Sequence, residues 1–326
     1  MKVIIPLAGK GTRLRPHTHT KAKPMLHVAG KPVLAHILDK LEHLEIEEVI
    51  FIIGHLGYQI ERFIKENYSF KARFIEQKEM LGQAHAINLA KGAVKDDALI
   101  IFVDTIFEAD LSRLKDTRSD GVIYVKEVED PRRFGVVVTD KKGKVTELIE
   151  KPEKPVSNLV NIGLYYIKDM PLLFDCIDNL IADNRMTKGE FYLVDAFQMM
   201  IEKGTEFSAE EVKKWLDCGK VDTLLATNKY LLEHGADNEP KVKDSVIIPP
   251  VFIEDDVKIK HSIIGPYVSI ASKSIIENSI IKDSIINENA DIQDAQLARS
   301  VIGDKAVIKN RFESLNVGDS SEISID

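Results

Sequence analysis

The sequence has little that would crosslink the chain or carry it into a membrane. Only two of its 326 residues are cysteine, which excludes a disulfide framework and suits a reducing compartment. No apolar run approaches the roughly 20 residues that a membrane span requires. The apolar run after Lys2 ends at Ala8 and is too short for a signal peptide. We therefore expect a cytoplasmic protein that does not attach to membranes.

The chain also lacks an excess of positive charge. Its 44 Lys and Arg residues against 52 Asp and Glu residues give a net charge of −8, which argues against a general nucleic-acid-binding protein. The length of 326 residues predicts one large domain and a smaller one. An anionic ligand would have to be bound by a local concentration of cations.

Such a concentration follows the first predicted strand. Residues 3–7 form an apolar run of strand length that breaks into Gly9-Lys10-Gly11-Thr12-Arg13. Two closely spaced glycines let backbone N–H groups approach a ligand. The cations that follow are Arg13, Arg15, Lys21 and Lys23. The stretch predicts a polyphosphate cradle, with an ordinary turn bearing surface lysines as the alternative.

Two common phosphate motifs are absent from this stretch. A Walker-type loop requires lysine where the chain has Thr12, and the dinucleotide fingerprint requires a third glycine where it has Leu14. The pattern G-x-G-T-R-L-x-P, followed by K-P-M-L, instead resembles the start of the sugar-1-phosphate nucleotidylyltransferases. The resemblance implies that Arg13 and Lys23 stabilise a leaving pyrophosphate. It also implies a set of nucleotide-binding residues: Leu7, Ala8, Gly9, Gly11, Thr12 and Arg13.

Alternating strand and helix patterns predict an α/β fold. Strands are predicted at 49–54, 73–76 and 99–103, helices at 31–44, 58–66, 169–181, 190–203 and 221–234, and a β-rich stretch at 121–167. The alternation predicts right-handed parallel crossovers and a doubly wound sheet, whose ligands lie beyond the carboxyl ends of the strands. With the resemblance, it predicts a Rossmann-like mixed-sheet nucleotidyltransferase domain over residues 1–235.

The segment from Gln77 to Ala86 carries the resemblance further. It matches a Q-x-x-x-x-G-x-A-x-A segment that holds the nucleobase in the family. The resemblance implies that Gln77 bonds the base edge and that Gly82 lets the base approach the backbone. A side-chain amide offers a donor and an acceptor, which suits uracil or thymine. A solvated glutamine before a helix is the alternative, and His85 is interpreted as a packed histidine.

Three later segments resemble elements that bind the sugar phosphate in the family. They are F-G-V-V from residue 134, E-K-P from residue 150 and N-I-G-L-Y from residue 161. The resemblance implies that Gly135, Glu150 and Asn161 contact the sugar and that Lys151 holds its phosphate. Lys188 stands where the family often has arginine and would contact phosphate without a bidentate fork. Each segment alone is a weak signal, and an E-K-P on an exposed hairpin is more often an ordinary surface turn; the order and spacing of the three segments carry the resemblance.

Two aspartates resemble the metal ligands of the family. Asp104 opens D-T-I-F, and Asp217 lies within W-L-D-C-G. The resemblance implies that both hold Mg²⁺, which proteins typically bind through one or two carboxylates and substrate phosphates. Val103 stands where the family usually has glycine and would narrow the space beside the sugar nucleotide. This departure leaves a non-catalytic, regulatory relative that binds sugar nucleotides as an alternative.

The last third of the chain carries a six-residue repeat. After a linker at 236–243, isoleucine recurs in four groups: Ile247, Ile253, Ile259; Ile264, Ile270, Ile276; Ile280, Ile286, Ile292; Ile302, Ile308. This spacing predicts a short left-handed parallel β-helix over residues 244–326, with about four coils and its isoleucines inside. Its exposed coil edges favour a homo-oligomer. Acyltransferases share the repeat, so a bifunctional uridylyl- and acetyltransferase is the second alternative, with His261 as the only histidine available.

The resemblances together imply a Mg²⁺-dependent reaction of an NTP with a sugar 1-phosphate, giving an NDP-sugar and pyrophosphate. Glucose 1-phosphate with dTTP or UTP is the favoured substrate pair. A phosphate monoester has a second pKa of about 6, so the nucleophile is already an anion and no general base is required. We expect deletion of the β-helix to alter the oligomeric state more than the chemistry.

Overall fold

A computed structural model describes residues 1–238, 240 and 242–309 of the chain. Contacts divide it into two units. The first comprises Met1–Gly9 and Ile37–Trp215, and the second comprises Lys10–His36 and the described residues from Leu216 onward. Each unit has its own apolar core. Within the described residues, no helix combines the length and apolar character needed to cross a membrane.

The first unit is built on a nine-stranded mixed sheet. Along its main path the strands are Val145–Glu150, Gly135–Thr139, Leu159–Ile167, Ala98–Ile101, Lys2–Pro6, Glu48–Ile53 and Ala72–Glu76. Gly121–Glu127 and Phe207–Glu211 complete the sheet beside Leu159–Ile167. The last four strands of the path run parallel, and Leu159–Ile167 joins them antiparallel. The predicted Rossmann-like mixed sheet is confirmed.

The helices of the first unit cover this sheet. They are Gly57–Asn67, Gln83–Asn88, Met170–Ala182 and Leu193–Glu202. Phe174 and Phe197, from the last two helices, are buried with Ile4 and Ile100 of the sheet in one cluster. Burial of each such side chain contributes about 1.5–3 kcal/mol, so this cluster fixes the strand ends that carry the site residues. Shorter elements are Asp39–Leu41, Leu111–Asp116, Pro131–Arg133 and Thr105–Glu108, and Lys214–Asp217 is the strand that leads into the second unit.

The helix predicted from residue 31 begins later. Lys31–Pro32 pairs antiparallel with His27–Val28 in a small hairpin, and the helix covers only Val33–Leu38. Proline at position 32 fits the hairpin because residues at sheet edges need not donate a backbone hydrogen bond. The remaining short elements of this region are the turns Thr12–Leu14, His17–His19 and Lys23–Met25.

The second unit contains a helix and a solenoid. The helix covers Val221–Leu231 and ends in a single π turn, Leu232–Ala236. The solenoid consists of three parallel four-stranded sheets, as expected of a left-handed β-helix with four coils. One sheet contains Val246–Ile247, Ile263–Ile264, Ile280–Lys282 and Gln296–Ala298; the second, Val251–Ile253, Val268–Ile270, Ser284–Ile286 and Val301–Ile302; the third, Lys258–Lys260, Ile275–Glu277, Asp291–Gln293 and Val307–Lys309. Residues 310–326, which were predicted to continue it, lie outside the described residues.

The interior of the solenoid follows the predicted repeat with one correction. Ile253, Ile270, Ile286 and Ile302 stack in one sheet and are buried. Ile280, however, is 44% exposed, and its neighbour Ile281 is the buried residue. Because alternate residues of a strand face opposite sides, a shift of one residue moves the side chain from inside to outside.

Candidate functional site

The glycine turn begins at the carboxyl end of a central parallel strand. The N–H of Leu7 donates to the carbonyl of Ile52 across 2.7 Å, which extends the pairing one residue beyond strand Lys2–Pro6. Leu7 and Ala8 are both 5% exposed. A Cβ added at Gly9 would meet nothing within 4 Å. The backbone at Gly9 is therefore open to a ligand, as predicted for the end of such a strand.

The second glycine and its cations belong to the second unit. Gly11 has φ of +61°, and a Cβ there would lie 3.0 Å from both Cβ of Lys23 and Cγ2 of Thr18. Its carbonyl accepts from the N–H of Leu14 at 2.9 Å and from the Thr18 hydroxyl at 2.8 Å. Glycine is required here by its backbone conformation and by this packing. The turn thus holds the stem of Lys23 beside the start of Thr12–Leu14, which contains Arg13.

Gln77 is buried and held in one orientation. It follows strand Ala72–Glu76 and is 5% exposed. Its amide nitrogen lies 3.1 Å from Nδ1 of His85 and 3.4 Å from the carbonyl of Gly82. It donates to His85 when that ring carries its proton on Nε2. His85 is thus a positioning residue for Gln77, a role that the sequence interpretation missed and that only its place on helix Gln83–Asn88 reveals.

Gly82 lies against the backbone of Phe191. It has φ of +114°, and a Cβ there would lie 2.6 Å from the carbonyl oxygen and 2.7 Å from the nitrogen of Phe191. The neighbouring backbone groups are hydrogen-bonded to each other. The N–H of Phe191 donates to the carbonyl of Leu81, and the N–H of Ala84 donates to the carbonyl of Phe191, each at 2.9 Å. No residue with a side chain fits here without moving this backbone.

Four of the five residues predicted to bind the sugar phosphate, Gly135, Glu150, Lys151 and Asn161, come together in the first unit. The amide nitrogen of Asn161 donates to the carbonyl of Gly135 at 3.0 Å, and its oxygen accepts from the hydroxyl of Tyr165 at 2.5 Å. A Cβ at Gly135 would lie 3.1 Å from a carboxylate oxygen of Glu150. The cluster therefore presents an amide and a carboxylate beside a bare glycine backbone, a set suited to sugar hydroxyls.

Lys151 places a cation at the edge of this cluster. Its Nζ donates to the Tyr192 hydroxyl at 2.5 Å, lies 3.2 Å from the Glu150 carboxylate and sits 4.2 Å from the centre of the Tyr192 ring. Its φ of +44° is uncommon for a residue other than glycine, and such strain concentrates at functional sites. Lys188 joins the edge, since its ammonium donates to the Lys151 carbonyl at 3.3 Å.

Burial and charge shift the titration of this cluster. Burial raises the pKa of Glu150 above its ordinary value, although the Lys151 charge opposes the shift. Burial alone would lower the pKa of Lys151, but the Tyr192 hydroxyl and the Glu150 carboxylate raise it, which keeps the ammonium charged. Burial raises the pKa of Tyr165 well above its usual value, so its hydroxyl stays protonated and orients Asn161. Tyr165 and Tyr192 were not among the predicted site residues.

The two predicted metal ligands fall in different units. Asp104 follows strand Ala98–Ile101 and a buried Val103, and Phe102 pairs with Gly163 at 2.8 Å. Asp217 ends strand Lys214–Asp217, and its carboxylate accepts from the N–H of Gly219 at 2.7 Å.

Asp217 and Arg13 converge on one glycine of the second unit. A Cβ added at Gly219 would lie 2.8 Å from the Asp217 carboxylate and 3.3 Å from the guanidinium of Arg13. Within the residues that the structure describes, no cluster of three or more acidic, His or Cys side chains could hold a metal. Mg²⁺ binding by Asp104 and Asp217 stays a prediction; Mg²⁺ is a hard cation that takes its ligands from carboxylates, water and phosphate oxygens.

Comparison with known proteins agrees with this geometry. The model of the Nucleotidyl transferase family matches residues 2–234. The bifunctional protein GlmU of Methanocaldococcus jannaschii is 38% identical over 257 residues, which cover 78% of this chain and 60% of that protein. The chain thus spans about three-fifths of the length of that relative.

For a second relative and for a solved structure, the match covers nearly the whole length of the matched protein. The low-salt glycan biosynthesis nucleotidyltransferase Agl11 of Haloferax volcanii is 33% identical, and the match covers 100% of both chains. A crystal structure described as a glucose-1-phosphate thymidylyltransferase from Bacillus anthracis superposes with a TM-score of 0.63 at 26% identity, covering 74% of this chain and 98% of that one.

Proposed function

Because the chain belongs to the nucleotidyl transferase family, we propose that it transfers the nucleotidyl group of an NTP to a sugar 1-phosphate and releases pyrophosphate. The observation that carries the proposal is the cluster of Gly135, Glu150, Lys151 and Asn161, which combines groups for sugar hydroxyls with a charged ammonium for phosphate. These residues lie in or next to three neighbouring strands, Gly135–Thr139, Val145–Glu150 and Leu159–Ile167, and a single surface turn would not bring them together.

The protein has two main tasks in this reaction: to align the sugar phosphate with the α-phosphorus and to stabilise the charge on the leaving pyrophosphate. The sugar phosphate is already an anion near neutral pH, so its oxygen attacks the α-phosphorus without a general base. Lys151 holds this nucleophile. Arg13, Lys23 and the amides of the glycine turn stabilise the negative charge that develops on the leaving pyrophosphate.

We assign Mg²⁺ to Asp104 and Asp217. When bound, the ion supplies charge neutralisation on the phosphates. Replacement of either aspartate by asparagine keeps the shape of the side chain and removes one negative charge. We expect both variants to lose Mg²⁺-dependent pyrophosphate release, and full turnover in both would refute this assignment.

The favoured substrates are glucose 1-phosphate with dTTP or UTP. Uracil and thymine present the same hydrogen-bonding edge, and the buried amide of Gln77 has the donor and the acceptor to read it. The described function of the B. anthracis protein supports glucose 1-phosphate and the thymidine nucleotide. We propose a cytoplasmic location because neither Cys176 nor Cys218 forms a disulfide.

The test is a pyrophosphate-release screen of nucleoside triphosphates against sugar 1-phosphates, with and without Mg²⁺. Turnover of glucose 1-phosphate with dTTP or UTP is the expected result. If every pair is silent while sugar nucleotides still bind, the regulatory alternative replaces the enzyme. The similarity to GlmU keeps a second, acetyl-transfer activity as the other candidate. Release of free thiol from acetyl-CoA in the presence of a sugar 1-phosphate acceptor tests this activity. An unchanged rate after His261→Ala would exclude a catalytic role for that histidine.

A further inference from the structure

One buried side chain of the second unit joins three separate segments. Asn228, on helix Val221–Leu231, is 1% exposed. Its oxygen accepts from the N–H of Ala29 at 2.8 Å and from the hydroxyl of Ser269 at 2.6 Å, and its nitrogen donates to the carbonyl of Tyr267 at 3.2 Å. A single amide thus ties the hairpin His27–Pro32 to the helix and to the second coil of the solenoid.

The tip of this hairpin also rests on the first coil. Ala29 and Gly30 both have positive φ, +44° and +88°. A Cβ added at Gly30 would lie 2.4 Å from the ring of Phe252. Such close packing leaves the hairpin tip one position on the solenoid surface.

The fourth coil holds the cation segment at another point. The ammonium of Lys21 lies 2.7 Å from a carboxylate oxygen of Asp304, and the two side chains are 16% and 34% exposed. The same oxygen accepts from the N–H of Glu288 at 3.2 Å, which fixes the carboxylate. Beside it, burial and the Lys21 charge lower the pKa of His27 to about 4, so His27 adds no charge that would compete for Asp304 near neutral pH.

These two anchors lie on either side of Lys23, one of the residues assigned to the triphosphate. The turn Lys23–Met25 closes when Leu26 donates to the Lys23 carbonyl at 3.2 Å. Val33 donates to the Leu26 carbonyl at 3.0 Å, which links that turn to the hairpin. Gly11 in turn packs on the stem of Lys23. Between Lys10 and Pro32, where the cations lie, the loop contains short turns and a hairpin of two-residue strands, and its own backbone bonds are too few to fix these cations.

We propose that the solenoid is the scaffold of the loop Lys10–His36, with Asn228 as its positioning residue and Lys21 as a structural cation held by Asp304. The proposal rests on the proposed function only for the assignment of Arg13 and Lys23 to the triphosphate. It reverses the expectation that the solenoid matters more to oligomeric state than to chemistry. Charged donors stabilise a leaving group only when they are held in position before the reaction.

The kinetic test compares Asn228→Ala with wild type in the full chain. We expect the KM for the NTP to rise about tenfold and the KM for the sugar 1-phosphate to stay within about twofold, because the loop loses its bond from Ala29 to Asn228 and the helix loses its two Asn228 bonds to the solenoid, whereas the sugar-phosphate cluster loses none of its bonds. Ser269→Ala, which removes one of the three bonds, should give a smaller rise in the same direction and serves if Asn228→Ala does not fold.

Asp222→Ala is the matched control. Asp222 and Arg299 also join the helix to the solenoid, 3.3 Å apart, but both side chains are exposed and the ion pair includes no loop residue. Its KM values should equal those of wild type. An equal rise in both KM values for Asn228→Ala, or none, overturns the positioning role.

A double-mutant cycle separates the two roles open to Lys21. We compare Lys21→Met, Asp304→Asn and the double variant. If Lys21 is structural, all three show the same rise of about threefold in the KM for the NTP, because each breaks one contact. If Lys21 binds phosphate, Lys21→Met costs more than Asp304→Asn, and the structural role is wrong.

Hydrogen exchange of the amides in residues 11–28 distinguishes this proposal from the proposed function. Asn228→Ala and Asp304→Asn should speed that exchange, whereas Asp222→Ala should not. If wild type releases no pyrophosphate from any substrate pair but amide exchange is still faster in the two variants, the proposed function is wrong and the scaffold role of the solenoid is supported. If amide exchange is unchanged in both variants, the scaffold role of the solenoid is wrong, regardless of the enzymatic activity.

Discussion

The amide nitrogen of Asn161 donates to the carbonyl oxygen of Gly135 across 3.0 Å, and a Cβ at position 135 would lie 2.0 Å from that nitrogen. Gly135→Ala should therefore expel the Asn161 side chain from the cluster while the fold persists. We expect the KM for the sugar 1-phosphate to rise about tenfold, the cost of one or two hydrogen bonds. Gly92→Ala is the control, because a Cβ there meets nothing within 4 Å. Normal kinetics in Gly135→Ala would remove Asn161 from the site.

Lys151 should act on the sugar phosphate and not on the nucleotide. Lys151→Met is expected to lower kcat/KM about 100-fold, because a preorganised charge is lost. Tyr192→Phe, which removes only the hydroxyl that orients Lys151, should cost about fivefold. Steady-state kinetics with each substrate varied in turn measures both. Lys154→Met, a change at an exposed lysine of the same loop, is the control; an effect confined to the KM for the NTP would contradict the assignment.

Base recognition should depend on Gln77 and, through it, on His85. Gln77→Leu is expected to raise the KM for the preferred nucleotide about tenfold, because the base edge loses its hydrogen-bonding partner. His85→Ala should raise it about threefold, since Gln77 then loses its contact at 3.1 Å. Lys78→Ala, at the exposed neighbouring position, should change nothing. Equal KM values for all nucleotides in wild type would show that Gln77 does not read the base.

Glu48 should make the stability of the first unit depend on pH. The side chain is 2% exposed; burial alone would raise its pKa, but Arg73, 3.1 Å away, and two lysines hold the pKa below its ordinary value. A lowered folded-state pKa adds stability above the unfolded value near 4.5, and that stability is lost as the pH falls through the folded pKa. Glu48→Gln should cost about 2 kcal/mol at pH 7.

Urea unfolding at pH 7 and at about pH 3 measures this effect. The difference between Glu48→Gln and wild type should be smaller at the lower pH, because less of the Glu48 carboxylate is then ionised. Glu47→Gln is the control, because Glu47 is 60% exposed and its pairing with Lys2 should contribute under about 1 kcal/mol. A pH-independent difference would mean that Glu48 acts through packing alone.

The solenoid presents an apolar ladder that should join two copies of the chain. Val246, Ile263 and Ile280 stand opposite one another in successive strands and are 55%, 38% and 44% exposed. Ile263→Lys should lower the mass measured by light scattering, because a charge cannot be buried in an apolar contact. Gln296→Lys, on the next rung, is the control. A wild-type protein that scatters as a monomer would refute this interface.

Local patterns were sufficient for the strands and for the solenoid. The apolar runs at 49–54 and 99–103 match observed strands within two residues, because continuous burial on both faces leaves a run of Val, Ile and Leu. The helix start at residue 31 was wrong because Pro32 also suits a hairpin edge, and only the partner strand His27–Val28 distinguishes the two. The prediction that Ile280 is buried was wrong because the coils differ in length, which shifted the register by one residue.

The candidate site divides in the same way. The order of the motifs was enough to predict that Gly135, Glu150, Lys151 and Asn161 belong to one cluster. The hydroxyls of Tyr165 and Tyr192, which orient two of these residues, had no motif of their own. Tyr165 lies in a buried strand and Tyr192 directly precedes helix Leu193–Glu202, both ordinary places for a core tyrosine, and only the contact distances place their hydroxyls beside Asn161 and Lys151.

The sequence by itself determined the family, through the glycine turn and the ordered motifs, and the solenoid, through its repeat. Both are local features, since a motif and a six-residue period are complete within short segments. Only the tertiary structure decided that the loop Lys10–His36 belongs with the solenoid. Asn228 bonds Ala29 across 199 positions and Lys21 pairs with Asp304 across 283, and no local pattern encodes such a contact. The cation segment that first indicated a phosphate site is therefore held in place by residues distant from it in sequence.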